Sequence, residues 1–252
     1  MSAAVLHHQF ASLLASPLSW QDRREPEFVP TGIAEIDSAT GGLPRGALTE
    51  IVGPACSGRT TMLHSILAGA AAREEACALV DAGDAFCPHD AALAGAALDR
   101  LLWVRCAHNA EHALKAVDLL IQGGGFGLVV LDLGDTPPAM ARRISLTSWF
   151  RLRRAVEHTP TVFVALARQS NARTCASLVV ECSRARACWS GARGTSRLLR
   201  SARFQVSVTR RSPWRGGMPP LADRQDSRIR QNGHAVFPGG IQCTPVFTAA
   251  AI

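Results

Sequence analysis

The chain has 252 residues, 47% hydrophobic and 19% charged, which is the balance of a globular protein with one sizeable core and excludes a disordered chain. No apolar run approaches the ~18 residues of a membrane-spanning helix. The formal net charge of +7 is unevenly divided: residues 1–140 hold 8 Lys+Arg against 16 Asp+Glu, whereas residues 141–252 hold 19 Arg against 4 acids. A half-chain of that kind calls for an anionic partner, and nucleic acid is the first candidate. The N-terminus lacks the basic start, apolar region and small-residue cleavage site of a signal peptide, which points to a cytoplasmic protein. Eight cysteines, at 56, 77, 87, 106, 175, 182, 188 and 243, form no C-x-x-C pair. Reduced thiols are expected of them rather than a zinc site.

In chain order, Leu6, Phe10, Leu13 and Leu14 mark a weakly amphipathic helix that Pro17 ends. A polar linker follows over 21–28. Residues 29–47 are turn-rich around a short helix, with Gly41, Gly42 and Pro44 as punctuation. Leu48–Val52 is the first central strand and 59–72 the helix after it. Ala76–Asp81 is a continuous apolar run ending in an acid, the mark of a buried parallel strand. Pro88 opens an alanine-rich helix to about Leu98, and Leu101–Arg105 is a strand. A helix over Ala110–Gln122 is closed by three glycines. Leu128–Leu131 is a strand ending in Asp132, 138–157 a long basic helix, and Thr161–Leu166 a fifth strand.

That alternation predicts a mainly parallel sheet covered by helices on both faces, with ligand chemistry at the carboxyl ends of the strands. After residue 170 the pattern changes. Ser177–Cys182, Arg186–Ser190 and Phe204–Thr209 are expected to be short antiparallel strands at one edge. From Arg210 onward proline, glycine and polar residues dominate, which predicts an irregular or disordered tail.

The most informative stretch is Gly53-Pro54-Ala55-Cys56-Ser57-Gly58-Arg59-Thr60-Thr61. It matches the phosphate-cradling pattern G-x-x-x-x-G-K-[ST] at every position but Arg59, where the pattern has lysine. Such a loop turns its backbone N–H groups toward phosphate oxygens at a helix N-terminus. The nucleotide-binding candidates are Gly53, Pro54, Ser57, Gly58, Arg59, Thr60 and Thr61. The Thr60 hydroxyl and the Asp132 carboxylate, which ends an apolar strand further along, are the candidates to hold Mg²⁺ beside ATP. Arginine keeps lysine's charge but is larger and planar, so the exchange is not conservative. Phosphate binding through the backbone is expected to survive it better than transition-state stabilisation.

These residues place the chain close to a family. Thr31-Gly32-Ile33-Ala34-Glu35-Ile36-Asp37, Gly41-Gly42-Leu43-Pro44-Arg45-Gly46, Glu50-Ile51-Val52-Gly53-Pro54 and Ser57-Gly58-Arg59-Thr60-Thr61 resemble the core of RecA-type recombinases, as do Val80-Asp81-Ala82 and Val129-Val130-Leu131-Asp132. The resemblance covers about 28–210. Together with the patterns on either side it gives three expected segments: an N-terminal helix and linker over 1–28, a RecA-like nucleotide-binding core over 29–210, and a basic, irregular or disordered tail over 211–252. It further implies an ATP-binding core that assembles on DNA in recombination, repair or the SOS response to DNA damage, with the nucleotide between neighbouring subunits.

The departures from the family are specific. The family's catalytic glutamate corresponds to Gly83, with Asp84 next. Its adenine-stacking tyrosine has no counterpart, because the chain has no Tyr. Its Asn-Gln pair after the fifth strand corresponds to Leu166-Ala167, with Gln169 close by. Asp84 and Gln169 are therefore the remaining catalytic candidates. Both DNA-binding loops of the family are shortened here. In these departures the chain also resembles ImuA-type accessory proteins of DNA-damage-inducible mutagenic polymerases, which share the core but not the full catalytic set.

Arginines with interleaved tryptophans, over residues 141–215, suit a nucleic-acid backbone and its bases. Two functions are carried forward. One is a RecA-like ATP-binding protein acting on DNA in recombination or repair. The other is a catalytically degenerate scaffold that binds a polymerase or RecA partner without turning over ATP. A small-molecule kinase is a third option, weakened by the turn at 31–46 and the lack of an acceptor-site motif. Self-association is expected in either of the first two cases.

Overall fold

The computed structural model describes residues 27–190, 198–211 and 244–250. The expected N-terminal helix and most of the basic tail, with Arg193, Arg197, Trp214 and Arg215, lie outside the described residues.

Among the described residues, ten strands and six α-helices follow one another. A two-stranded ribbon of β1 (Phe28–Val29) and β2 (Leu43–Pro44) flanks α1 (Ala34–Thr40). Then come β3 (Ala47–Val52), α2 (Arg59–Ala72), β4 (Cys77–Asp81), α3 (Pro88–Leu93), β5 (Leu101–Arg105), α4 (Ala110–Gly123) and β6 (Leu128–Asp132). The chain continues with α5 (Pro138–Ala141), α6 (Leu146–Val156), β7 (Val162–Ala167), β8 (Leu178–Ser190), β9 (Leu198–Arg211) and β10 (Thr244–Ala250). Eight of the strands form one sheet in the order β10-β9-β8-β3-β7-β6-β4-β5. The six strands from β8 to β5 pair in parallel, β9 runs antiparallel to β8, and β10 lies parallel to β9. This is the expected doubly covered sheet with an antiparallel edge.

The continuous apolar runs become central strands because both of their faces are buried. Successive residues serve opposite cores: Leu79 faces one, Ala78 and Val80 the other. The first core is closed by Met62, Leu63, Ile66, Leu67 and Ala70 of α2. The second is closed by Ala113, Val117 and Ile121 of α4 and by Trp149, Leu152 and Val156 of α6. Full burial of side chains such as these stabilises the fold by roughly 1.5–3 kcal/mol each before the entropy of ordering is counted.

Several boundaries differ from the sequence expectation. The helix at Pro88 ends at Leu93, because Gly95 takes φ +101° and a 3-10 turn over Leu98–Arg100 leads into β5. The long basic helix is two helices. Ser145 stands in extended backbone and caps α6 by accepting from the Ser148 N–H at 3.1 Å, which separates α6 from α5. Of the three short strands expected after residue 170, the first two are one strand, β8, which carries a register shift between Arg184 and Arg186. β8 joins β3 in parallel, and only its pairing with β9 is antiparallel. The tail carries a strand, β10, where no periodicity predicted one.

The family-like turn at 31–37 has a structural task. Asp37 accepts from the Thr31 N–H at 2.7 Å, the Thr31 hydroxyl at 2.8 Å and the Gly32 N–H at 3.2 Å. Ser65 of α2 donates to the Thr31 carbonyl at 2.9 Å. Gly32 has φ +82°, and a Cβ there would stand 2.6 Å from the Ser65 hydroxyl, so the turn fits α2 only with glycine. Where β3 and β4 begin, Arg45 bridges Glu27 at 3.3 Å and Glu75, while Arg73 holds the other oxygen of Glu75 at 3.1 Å.

Candidate functional site

β3 lies between β7 and β8, so the loop that leaves its carboxyl end emerges near the middle of the sheet. The Gly53 N–H donates to the Ala167 carbonyl at the end of β7, at 3.2 Å. Leu133 donates to the neighbouring Leu166 carbonyl at 2.8 Å. The glycine loop and the segment after β6 are thus both tied to the last residues of β7. This brings Gly53–Thr61 and Asp132 to one end of the sheet, as the spacing anticipated.

The loop is tightly enclosed on one side. A Cβ at Gly53 would stand 2.2 Å from the Cys182 carbonyl oxygen of β8, and one at Gly58 would stand 2.8 Å from the Phe204 ring of β9. Gly58 also has φ +95° as the residue that opens α2. Both glycines are required by conformation or by close approach. Ser57 is 1% exposed, and its buried hydroxyl makes no hydrogen bond. That oxygen lies 2.6 Å from where a Gly53 Cβ would be, which is inside the curve of the loop. Thr60 is exposed at the start of α2, whereas Pro54 stands on the outer turn of the loop, also exposed.

Asp132 ends β6. Its Oδ1 accepts from the Gly134 N–H at 2.7 Å. Burial pushes its carboxyl up to about 6; the Gly134 N–H and Arg59 work against that rise, and Asp81 and Asp135 add to it. Arg59 leans from α2 toward the same place and donates to the Gly134 carbonyl at 3.5 Å. Burial holds the Arg59 pKa below its ordinary value, with Asp132 and Asp135 opposing. A second guanidinium, from Arg168, reaches that carbonyl at 2.9 Å and meets Asp135 at 3.5 Å.

Gly83 stands where the resemblance places a glutamate. A Cβ there would come within 2.9 Å of the Asp135 Cβ, so a larger side chain needs the loop after β6 to move. Asp84 has φ +57°, and both of its oxygens are held by Arg105, which also covers the Trp103 ring at 5.1 Å. The Arg105 hydrogen bonds keep the Asp84 carboxyl below its ordinary pKa, which makes it a weak base. Gln169 is exposed, and its carbonyl accepts from the Asn171 side chain at 2.8 Å.

Sequence reasoning missed three side chains at this end of the sheet. Arg168 follows β7, where attention fell on the expected Asn-Gln. Asp135 is an isolated acid in a turn. Glu50 precedes the loop inside an apolar strand and is 0% exposed; it accepts from the Ser170 hydroxyl at 2.6 Å and from the Asn171 and Ala172 N–H groups at 2.8 Å each. A charge inside a strand was the available signal for Glu50.

The basic half forms two exposed surfaces. Arg142, Arg143, Arg151 and Arg154 are exposed on or before α6. Beyond the residues that pair with β3, β8 and β9 continue as an antiparallel arm. On the arm Arg186 lies directly opposite Arg203, both exposed, and Trp189 is 53% exposed.

A parallel sheet with helices on both faces, carrying a glycine loop at its central strand and an acid one strand beyond its neighbour, defines a mixed α/β core with one ligand-facing end. The profile of the RecA N-terminal domain matches residues 5–139, and the chain belongs to that family. Protein RecA of Chloroflexus aurantiacus is 33% identical over 154 residues, covering 55% of this chain and 44% of that protein. Protein RecA of Leifsonia xyli is 31% identical over 177 residues, covering 64% and 49%, and that of Deinococcus radiodurans is 31% identical over 163 residues, covering 58% and 45%. The chain spans less than half the length of these relatives. Among the described residues, no helix is long and apolar enough to cross a membrane.

Proposed function

We propose that this protein binds ATP through Gly53–Thr61 and acts on DNA in recombination or DNA-damage repair. The observation that carries the reading is the loop itself: a glycine-opened turn at the N-terminus of a 14-residue helix, with a buried, unpartnered Ser57 hydroxyl inside it. Free N–H groups and the helix dipole favour phosphate there. Thr60 and Asp132 would hold Mg²⁺, which supplies charge neutralisation between terminal phosphates. Their number suits a metal held largely by phosphate and water, although one Asp132 oxygen is already engaged by the Gly134 N–H. DNA is read as the partner of the exposed arginines on α6 and the β8–β9 arm, and self-association follows the family resemblance.

A second reading, a scaffold that does not turn over ATP and binds a polymerase or RecA partner, is favoured by one particular of the site. Asp84 is held by Arg105, and Gly83 is packed against Asp135 where the family resemblance expects a glutamate. Gln169 is then the candidate left to meet the γ-phosphate. The test is titration of labelled ATP with and without DNA, followed by a turnover assay. Turnover stimulated by DNA supports the first reading. Saturable ATP binding without turnover supports the scaffold, and failure to retain DNA even at low salt removes the DNA-acting role.

A further inference from the structure

Two guanidinium groups converge on one neutral acceptor, the Gly134 carbonyl, from Arg168 at 2.9 Å and Arg59 at 3.5 Å. Like charges that close repel; Asp135, 3.5 Å from Arg168, and Asp132, which acts on Arg59, offset that repulsion without making a hydrogen bond to Arg59. Arg59 also keeps Nε and NH1 buried without a hydrogen bond, which is costly for a cation. The position is informative. A Cβ on Gly134 would stand 2.9 Å from Arg59 NH1 and 2.8 Å from Asp132 Oδ1. The guanidinium therefore lies between the start of α2 and the acid of β6, beside the residues, Thr60 and Asp132, that would hold a metal. The unpartnered Ser57 hydroxyl in the adjoining loop is a second, independent sign that this end of the sheet is built for an acceptor-rich ligand.

We propose that Arg59 and Arg168 form a built-in counter-cation for the terminal phosphates of a nucleoside triphosphate, so that nucleotide binding here does not require a divalent metal. The proposal rests on the ATP-binding reading above. The chemistry follows from the groups. A guanidinium offers several N–H donors in a plane and binds phosphate by hydrogen bonds as well as charge, whereas a lysine ammonium acts as a point charge. With the pair in place, much of the charge a metal would neutralise is already balanced. Asp132 offsets part of the pair's charge when no nucleotide is bound. Arg168 becomes a nucleotide-binding residue, directly after β7 and one residue beyond Ala167, where the family resemblance expects a glutamine.

The experiment titrates a fluorescent ATP analogue into the full chain in excess Mg²⁺ and, separately, in excess EDTA. Equal dissociation constants, within about threefold, are expected. Arg168→Ala should weaken binding by about tenfold or more in EDTA and by less in Mg²⁺. Arg59→Lys, which restores the compact cation, should bind in Mg²⁺ and lose most of its affinity in EDTA. Thermal melts establish that each variant is folded. Wild-type binding seen in Mg²⁺ alone overturns the proposal and leaves the ATP-binding reading standing. Equal wild-type binding that Arg168→Ala leaves unchanged overturns the role of the pair. A folded wild type that binds in neither condition overturns both readings.

Discussion

Glu50 shows how one residue can organise the site without facing it. It is fully buried in β3, and a buried carboxylate persists only when its oxygens are satisfied. Three donors from residues 170–172 do so, and this fixes the loop after β7 that carries Arg168 and Gln169. Glu50→Ala leaves those donors without their acceptor and is expected to destabilise the fold by about 3 kcal/mol. Urea unfolding measures this, and a change below about 1 kcal/mol contradicts the account. At this scale the sequence was legible wherever a residue type is demanded by backbone geometry or by a motif. Gly53, Gly58 and Asp132 are picked out by the motif and by the strand end, and all three lie at the carboxyl end of the central strands. Asp84 and Gln169 were named from nearness along the chain to missing family residues, and the structure gives Asp84 to Arg105. Which partner a charged side chain takes depends on contacts from distant strands, and spacing does not encode it.

The elements divide in the same way. Strands with unbroken apolar runs, β4, β6 and β7, were legible because burial on both faces removes any ambiguity of period. The break between α5 and α6 was not, since it turns on a single serine acting as a cap within an otherwise helical pattern. β8 was divided in two by a bulge. That arm supports a prediction of its own. Arg186 and Arg203 are directly opposed on neighbouring strands, an arrangement that weakens a sheet unless an anion lies across it. Replacing both with Ala should leave the melting temperature unchanged or slightly raised, while DNA affinity falls and the log–log salt slope becomes shallower by about 2. A double variant that loses stability but retains the full salt slope would place DNA contact elsewhere.

For the whole molecule, the charge division and the sheet describe one object: an acidic first half that supplies β3 to β6 and the glycine loop, and an arginine-rich second half that supplies the other strands of the sheet and, among the described residues, exposes arginines on α6 and the arm. At the end away from the loop, the Glu27–Arg45–Glu75–Arg73 network ties the β1–β2 ribbon to the main sheet. Burial alone would raise the Glu75 carboxyl, but hydrogen bonds from Arg73 and Arg45 outweigh it, so its pKa lies below the ordinary value. A carboxyl depressed on folding contributes stability that is present above its unfolded pKa and lost as pH falls through its folded pKa. Glu75→Gln should therefore unfold more easily than wild type near neutral pH, by about 2 kcal/mol, with the gap closing as pH falls below the ordinary glutamate range. A gap that does not change with pH assigns the loss to packing.

The central claim is that the loop between β3 and α2 still binds ATP although arginine replaces its lysine. Equilibrium dialysis of labelled ATP against the full chain, alongside Arg59→Ala, tests it most directly. The account predicts saturable binding of about one nucleotide per chain, weakened by about tenfold or more in the variant. A folded wild-type chain that shows no saturable binding, or binding that Arg59→Ala leaves intact, contradicts it.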